Sequence, residues 1–137
     1  MTQSIRRLLE AALYSDDVAG TATFYERLLG RPPMLQSDRL VAFDAGEATV
    51  LLIFHRGHAQ PLPTSGGVVP GHDGAGRVHI AFAIDRSDLT PWESRLEALG
   101  IPIESRVTWE SGGVSLYFRD PDGRSVELAT PGLWPTY

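Results

Sequence analysis

A chain of 137 residues, 42% hydrophobic and 21% charged, has the size and balance of one compact folded domain rather than of a disordered or fibrous chain. Its net charge of −5 and pI near 5.3 argue against a general nucleic-acid binder, which presents a basic face. The absence of cysteine excludes thiolate catalysis, disulfide staples and cysteine-held zinc.

The opening "MTQSIRRLLEAALYSDD" joins basic residues to an apolar patch, but Glu10 interrupts the patch and Asp16-Asp17 closes it. That pattern is not expected of a secretory signal. No apolar run approaches the roughly 18 residues that span a bilayer. With a mean hydropathy of −0.10, a soluble, cytoplasmic protein without membrane partners is expected.

Residues Leu8 to Tyr14 read as a strand, and Asp16 or Asp17 is placed to cap a helix over Val18 to Leu29. Ala22, Tyr25, Leu28 and Leu29 form the apolar stripe of that helix, and Gly30 ends it. Strand candidates follow at Arg39 to Asp44 and Ala48 to His55. The stretch "RGHAQPLPTSGGVVPGHDGAG", dense in Gly, Pro and Ser, reads as a linker, about residues 58–75.

The pattern then restarts. A strand at Arg77 to Ile84 leads through Asp85–Asp88 to an amphipathic helix at Leu89 to Leu99, stopped by Gly100. A strand near Ile103 to Trp109 precedes "SLYFRDPDGRSVELATP", two strands joined by Asp120-Pro121-Asp122-Gly123. "LLEAALYSDDV…FYERLLG" matches "VHIAFAIDRSDL…WESRLEALG", and "VAFDAGEATVLL" matches "LYFRDPDGRSVEL". Each half is a β-α-β-β-β module, about 5–57 and 76–134, although the second strand of the first half is hard to see. Neither half buries much core alone. The expected fold is therefore α+β, with two βαβββ modules forming a curved mixed sheet and the helices on its outer face, all within one domain.

Alternation assigns the faces. Val78, Ile80, Phe82 and Ile84 form an apolar face, and His79, Ala81 and Ala83 oppose it. Val126 and Leu128 pack, while Ser125, Glu127 and Ala129 share the other side. Leu9, Ala11 and Leu13 pack, opposite Glu10, Ala12 and Tyr14. A metal-competent side chain followed by a small one thus recurs in three strands, which leaves room for a small ligand. The repeat sets Glu10 opposite His79, and the counterpart of Glu127 falls near Val50 or Leu51. Three protein ligands with open positions would make a catalytic metal site. The competing reading is a solvated Glu10 and a histidine satisfied by its surroundings.

The stretches "LYSDDVAGTATFYERLLG", "GRVHIAFAID" and "SLYFRDPDGRSVELATPGLW" resemble the vicinal oxygen chelate superfamily. That superfamily includes glyoxalases, bleomycin-resistance proteins, fosfomycin-resistance thiol transferases and extradiol dioxygenases. The resemblance implies a divalent metal ion (Mn, Fe, Zn, Ni or Mg) at Glu10, His79 and Glu127. It departs at Glu10, where familiar members carry His or Gln. Two carboxylates and one imidazole are not the two-His-one-carboxylate triad of ferrous oxygenases, which counts against a dioxygenase.

The function expected from the resemblance is a glyoxalase-like, metal-dependent lyase, isomerase or transferase acting on a small substrate with neighbouring oxygens. The alternative is a metal-free, bleomycin-resistance-like protein that sequesters a small cationic ligand. Tyr117 and Arg119 share the Ser115 face and are candidates to hold a substrate oxygen, Arg119 being equally suited to solvent or to pairing with Asp120 or Asp122. Trp109 and Phe54 are candidate pocket walls or core. No catalytic acid or base is singled out, and His55, His58 and His72 are not expected to be ligands. The resemblance also implies a homodimer in which Glu10 of one chain meets His79 and Glu127 of the other.

Overall fold

A computed structural model of the chain describes residues 3–137. It separates into two compact units, Met1–Ala75 and Gly76–Tyr137, so the segment 58–75 lies within the first unit.

In the first unit, β1 (Glu10–Ser15) leads to α1 (Val18–Leu29), then to β2 (Leu35–Gln36), β3 (Leu40–Asp44) and β4 (Val50–His55). The strands form one mixed sheet in the order β1-β4-β3-β2, with β1 and β4 parallel and the remaining pairs antiparallel. The elusive second strand is only two residues long, too short to show an alternation. Helix α1 begins where the Asp17 carboxylate accepts from the Gly20 N–H at 3.0 Å. It ends where Gly30 adopts φ +71°, a conformation that glycine reaches without a Cβ penalty. Tyr25 and Leu28 of α1, Phe43 of β3 and Leu51 and Ile53 of β4 are almost completely buried, so the helix covers the face carrying odd-numbered residues.

The Gly/Pro-rich segment departs from a plain linker by forming a small hairpin, β5 (Leu62–Thr64) paired with β6 (Gly67–Val69). Its ends are fastened to the first unit. The Tyr14 hydroxyl and His72 Nδ1 lie 2.5 Å apart, and Asp73 Oδ1 accepts from the Gly57 N–H at 3.0 Å. That bond, with a second from Gly74, holds the Asp73 carboxyl below its usual range.

In the second unit, β7 (His79–Ala83) passes through a 3₁₀ turn at Arg86–Asp88 into α2 (Leu89–Ala98), followed by β8 (Ser105–Thr108), β9 (Val114–Arg119) and β10 (Ser125–Ala129). The sheet order, β7-β10-β9-β8, repeats that of the first unit, including the parallel outer pair. Leu116, Phe118, Val126 and Leu128 form its buried face.

The β9–β10 hairpin is tied by a buried ion pair. Arg124 Nη1 donates to Asp120 Oδ2 at 2.8 Å, and Asp120 Oδ1 accepts from the backbone N–H groups of Asp122 and Arg124 at 3.0 Å. The turn therefore sets which residues of β9 and β10 stand opposite one another. Among the described residues, no helix is long and apolar enough to cross a membrane.

Candidate functional site

The parallel pairing of β7 with β10 sets His79 against Ser125 and Ala81 against Glu127. The antiparallel pairing of β10 with β9 sets Glu127 against Tyr117 and Ala129 against Ser115. All these residues lie on the sheet face opposite Leu116, Phe118, Val126 and Leu128. Ala81 carries only a methyl group and leaves room beside it, and His79 Nε2 comes to 3.1 Å from Glu127 Oε1. The two ends of the pair differ in environment: the His79 side chain is 50% exposed and that of Glu127 only 5%.

The protonation of His79 follows from its partners. Nδ1 lies 2.9 Å from the Ser125 carbonyl oxygen, which only accepts, so Nδ1 carries the hydrogen. In the neutral ring Nε2 then presents a lone pair to a carboxylate oxygen. Two acceptors at that distance repel unless a proton, on Nε2 or on the carboxyl, or a metal ion lies between them. A ligating histidine normally has its other ring nitrogen fixed in this way. An imidazole nitrogen and a carboxylate oxygen are donors of the type that a divalent cation takes, and the pair alone is one short of three protein ligands.

Glu127 is a buried carboxylate, which is costly without donors. Its Oε2 accepts from the Ser115 hydroxyl at 2.5 Å, and Ser115 Oγ in turn accepts from the Trp109 indole N–H at 2.9 Å. Tyr117 also bears on this carboxylate: burial first, and then the charge of Glu127, pushes its phenol above 10.0. The rings of Tyr117 and His79 stack with centroids 6.2 Å apart.

The other predicted residues are placed differently. Trp109 uses its indole nitrogen within this network, a role beyond that of a pocket wall. Arg119 shares the face, but pairs with neither Asp120 nor Asp122; its Nε donates to Glu104 at 2.8 Å and its Nη1 to the Gly123 carbonyl at 3.1 Å. Phe54 belongs to the first unit, is 3% exposed, and lies beneath Tyr14 and His72 with centroids 5.9 and 4.7 Å away, so little of its ring faces solvent.

Glu10, at the start of β1, is exposed. It pairs with Val50, as His79 pairs with Ser125, and Ala12 pairs with Leu52, as Ala81 pairs with Glu127. The counterpart of Glu127 is therefore Leu52, not Val50 or Leu51; it too is apolar. Among the described residues no three His, Asp or Glu side chains cluster closely enough to hold a metal. Sequence reasoning does not single out Ser115, which bonds Glu127. The hairpin register makes it the diagonal neighbour of Glu127, which alternation along a strand does not show.

Comparison with known proteins shows the family. The model of the Glyoxalase/Bleomycin resistance protein/Dioxygenase superfamily matches residues 7–128. A glutathione transferase FosA from Serratia marcescens is 28% identical over 133 residues, 97% of this chain and 84% of that protein. A metallothiol transferase FosB from Bacillus licheniformis is 45% identical over 57 residues; that match covers 41% of this chain and only 37% of the FosB length. Among solved structures, a lactoylglutathione lyase from Agrobacterium tumefaciens superposes with a TM-score of 0.85 at 32% identity, over 97% of this chain and 99% of that one. The chain belongs to the Glyoxalase/Bleomycin resistance protein/Dioxygenase superfamily.

Proposed function

We propose that this protein is a divalent-metal-dependent enzyme, a thiol transferase or lyase, acting on a small substrate with neighbouring oxygens. The observation that carries the reading is the His79–Glu127 pair: Nε2 and Oε1 stand 3.1 Å apart, with Nδ1 already committed to the Ser125 carbonyl. The similarity to proteins named as a metallothiol transferase, a glutathione transferase and a lactoylglutathione lyase supports the metal and the thiol chemistry alike.

His79 and Glu127 would hold the ion, with Glu10 of a second copy as the third ligand. Three protein ligands leave coordination positions open. A divalent ion so held supplies Lewis acidity toward two adjacent substrate oxygens. The protein's own residues supply the frame. Ser125 fixes the imidazole, Ser115 fixes the carboxylate, and Ala81 and Ala83, both exposed, leave the sheet face clear for a small molecule. Tyr117, with its proton retained by burial and by Glu127, is a neutral hydroxyl at the edge of that space.

Isothermal titration of metal-stripped protein with Mn(II), Zn(II) and Ni(II) tests the reading, with His79→Ala and Glu127→Ala as controls. Saturable binding by the wild type and its loss in both variants is the expected result. Equal behaviour of all three proteins overturns it. Epoxide opening by a low-molecular-weight thiol, and isomerisation of an α-oxoaldehyde–thiol adduct, would then distinguish transferase from lyase.

A further inference from the structure

A hydrogen-bond chain runs behind Glu127, on the side away from His79. An indole N–H only donates and an ionised carboxylate only accepts, so the direction of the chain is forced. The Trp109 indole N–H donates to Ser115 Oγ at 2.9 Å, and the single hydroxyl hydrogen of Ser115 goes to Glu127 Oε2 at 2.5 Å. Ser115 is 0% exposed and Glu127 4% exposed, so water does not readily replace either partner. A donor that is itself hydrogen-bonded from behind is polarised and holds its acceptor more tightly.

This chain divides the work of the carboxylate. Oε2 is occupied by Ser115, and only Oε1 faces His79 Nε2. An ion bound through both oxygens would compete with the Ser115 hydroxyl for Oε2, and giving up that bond would leave a buried O–H without its acceptor, which is costly. Trp109 can act at this distance because its backbone is set by the β8–β9 turn, where its N–H donates to the Gly113 carbonyl at 2.8 Å and its carbonyl accepts from Gly112 at 2.9 Å.

We propose that Trp109 and Ser115 are positioning residues that hold Glu127 as a one-oxygen ligand and thereby make the site selective for small divalent ions over large ones. Large ions such as Ca(II) favour high coordination numbers and two-oxygen carboxylates, whereas smaller ions accept a single oxygen in a tighter geometry. The inference rests on the metal-site reading above and adds residues that are not ligands.

Three measurements on the full chain test it: titration with Mn(II) and Ca(II), tryptophan emission during the titration, and circular dichroism as a check on folding. In Ser115→Ala, Mn(II) affinity should fall about ten-fold and the preference for Mn(II) over Ca(II) should shrink, as expected when an outer partner of a ligand is lost. Trp109→Phe should move both quantities in the same direction. Because the two residues act in series, the double variant should bind no more weakly than Ser115→Ala. Emission from Trp109 should respond to Mn(II) in the wild type, and the response should disappear in Trp109→Phe. Wild-type protein that binds no Mn(II) removes the metal reading and this inference together. Wild-type protein that binds Mn(II), while both folded single variants keep its affinity and ion preference, overturns the positioning role alone. If Ser115→Ala does not fold, Trp109→Phe decides by itself, since its side chain is only half-buried and Ser115 remains in place.

Discussion

His79 and Glu127 stand on adjacent parallel strands with Nε2 and Oε1 3.1 Å apart, and the histidine's other nitrogen is bound to the backbone of Glu127's own strand, at the Ser125 carbonyl. One strand thus supplies both the carboxylate and the carbonyl that orients the imidazole. Any shift of β7 against β10 breaks both relationships at once. The site is therefore as exact as the sheet register, which packing of the opposite face enforces.

If a second copy supplies Glu10, the site can be rebuilt from two defective chains. Glu10→Ala and Glu127→Ala should each bind metal poorly. Mixed in equal amounts and allowed to exchange, they should recover about a quarter of the wild-type sites, because half the dimers are mixed and each of those has one intact site of two. Titration of the mixture measures this. A site assembled within one chain would recover nothing.

The phenol of Tyr117 lies above 10.0, through burial first and the Glu127 charge second. The folded protein therefore keeps this proton longer than the unfolded chain does. Its contribution to stability is complete below about pH 10 and is lost as pH rises through the raised value. Wild-type protein should lose urea resistance between neutral and strongly alkaline pH more steeply than Tyr117→Phe. In the tyrosinate absorbance difference between them, Glu127→Gln should move the Tyr117 titration to lower pH.

The Arg124–Asp120 pair is almost entirely enclosed, with side-chain exposures of 3% and 0%. Removing one partner leaves a buried charge alone, so Arg124→Ala should cost about 3 kcal/mol in denaturant unfolding. The exposed Arg119–Glu104 pair provides a contrast: Glu104→Ala should cost less than about 1 kcal/mol. Because Arg124 also sets the hairpin turn, its loss should weaken metal binding as well.

At the start of α1, Asp17→Ala removes the acceptor of the Gly20 N–H and should cost about 1 kcal/mol, while Asp17→Asn should restore most of it. Urea midpoints of the two variants provide the comparison. Metal affinity should remain at the wild-type level in both, because the cap bonds the Gly20 N–H and touches none of Glu10, His79 and Glu127.

The sequence by itself determined the two modules, the helix α1 from its cap to Gly30, and the face on which each strand residue lies. Period-two alternation and turn residues are local properties, and they sufficed to choose Glu10, His79 and Glu127 as the side chains opposite the packed face. Alternation does not say which residue stands beside which on the neighbouring strand. The link from Ser115 to Glu127, the reach of Trp109 into it, the capture of Arg119 by Glu104, and the exchange of Leu52 for Val50 or Leu51 as the repeat counterpart all depend on register between strands. The hairpin in the Gly/Pro-rich segment depends on its anchorage at Tyr14 and Gly57 in the same way. Register is decided only when the buried faces pack and the Asp120–Arg124 turn closes, because those are the interactions that a slip of one residue would destroy.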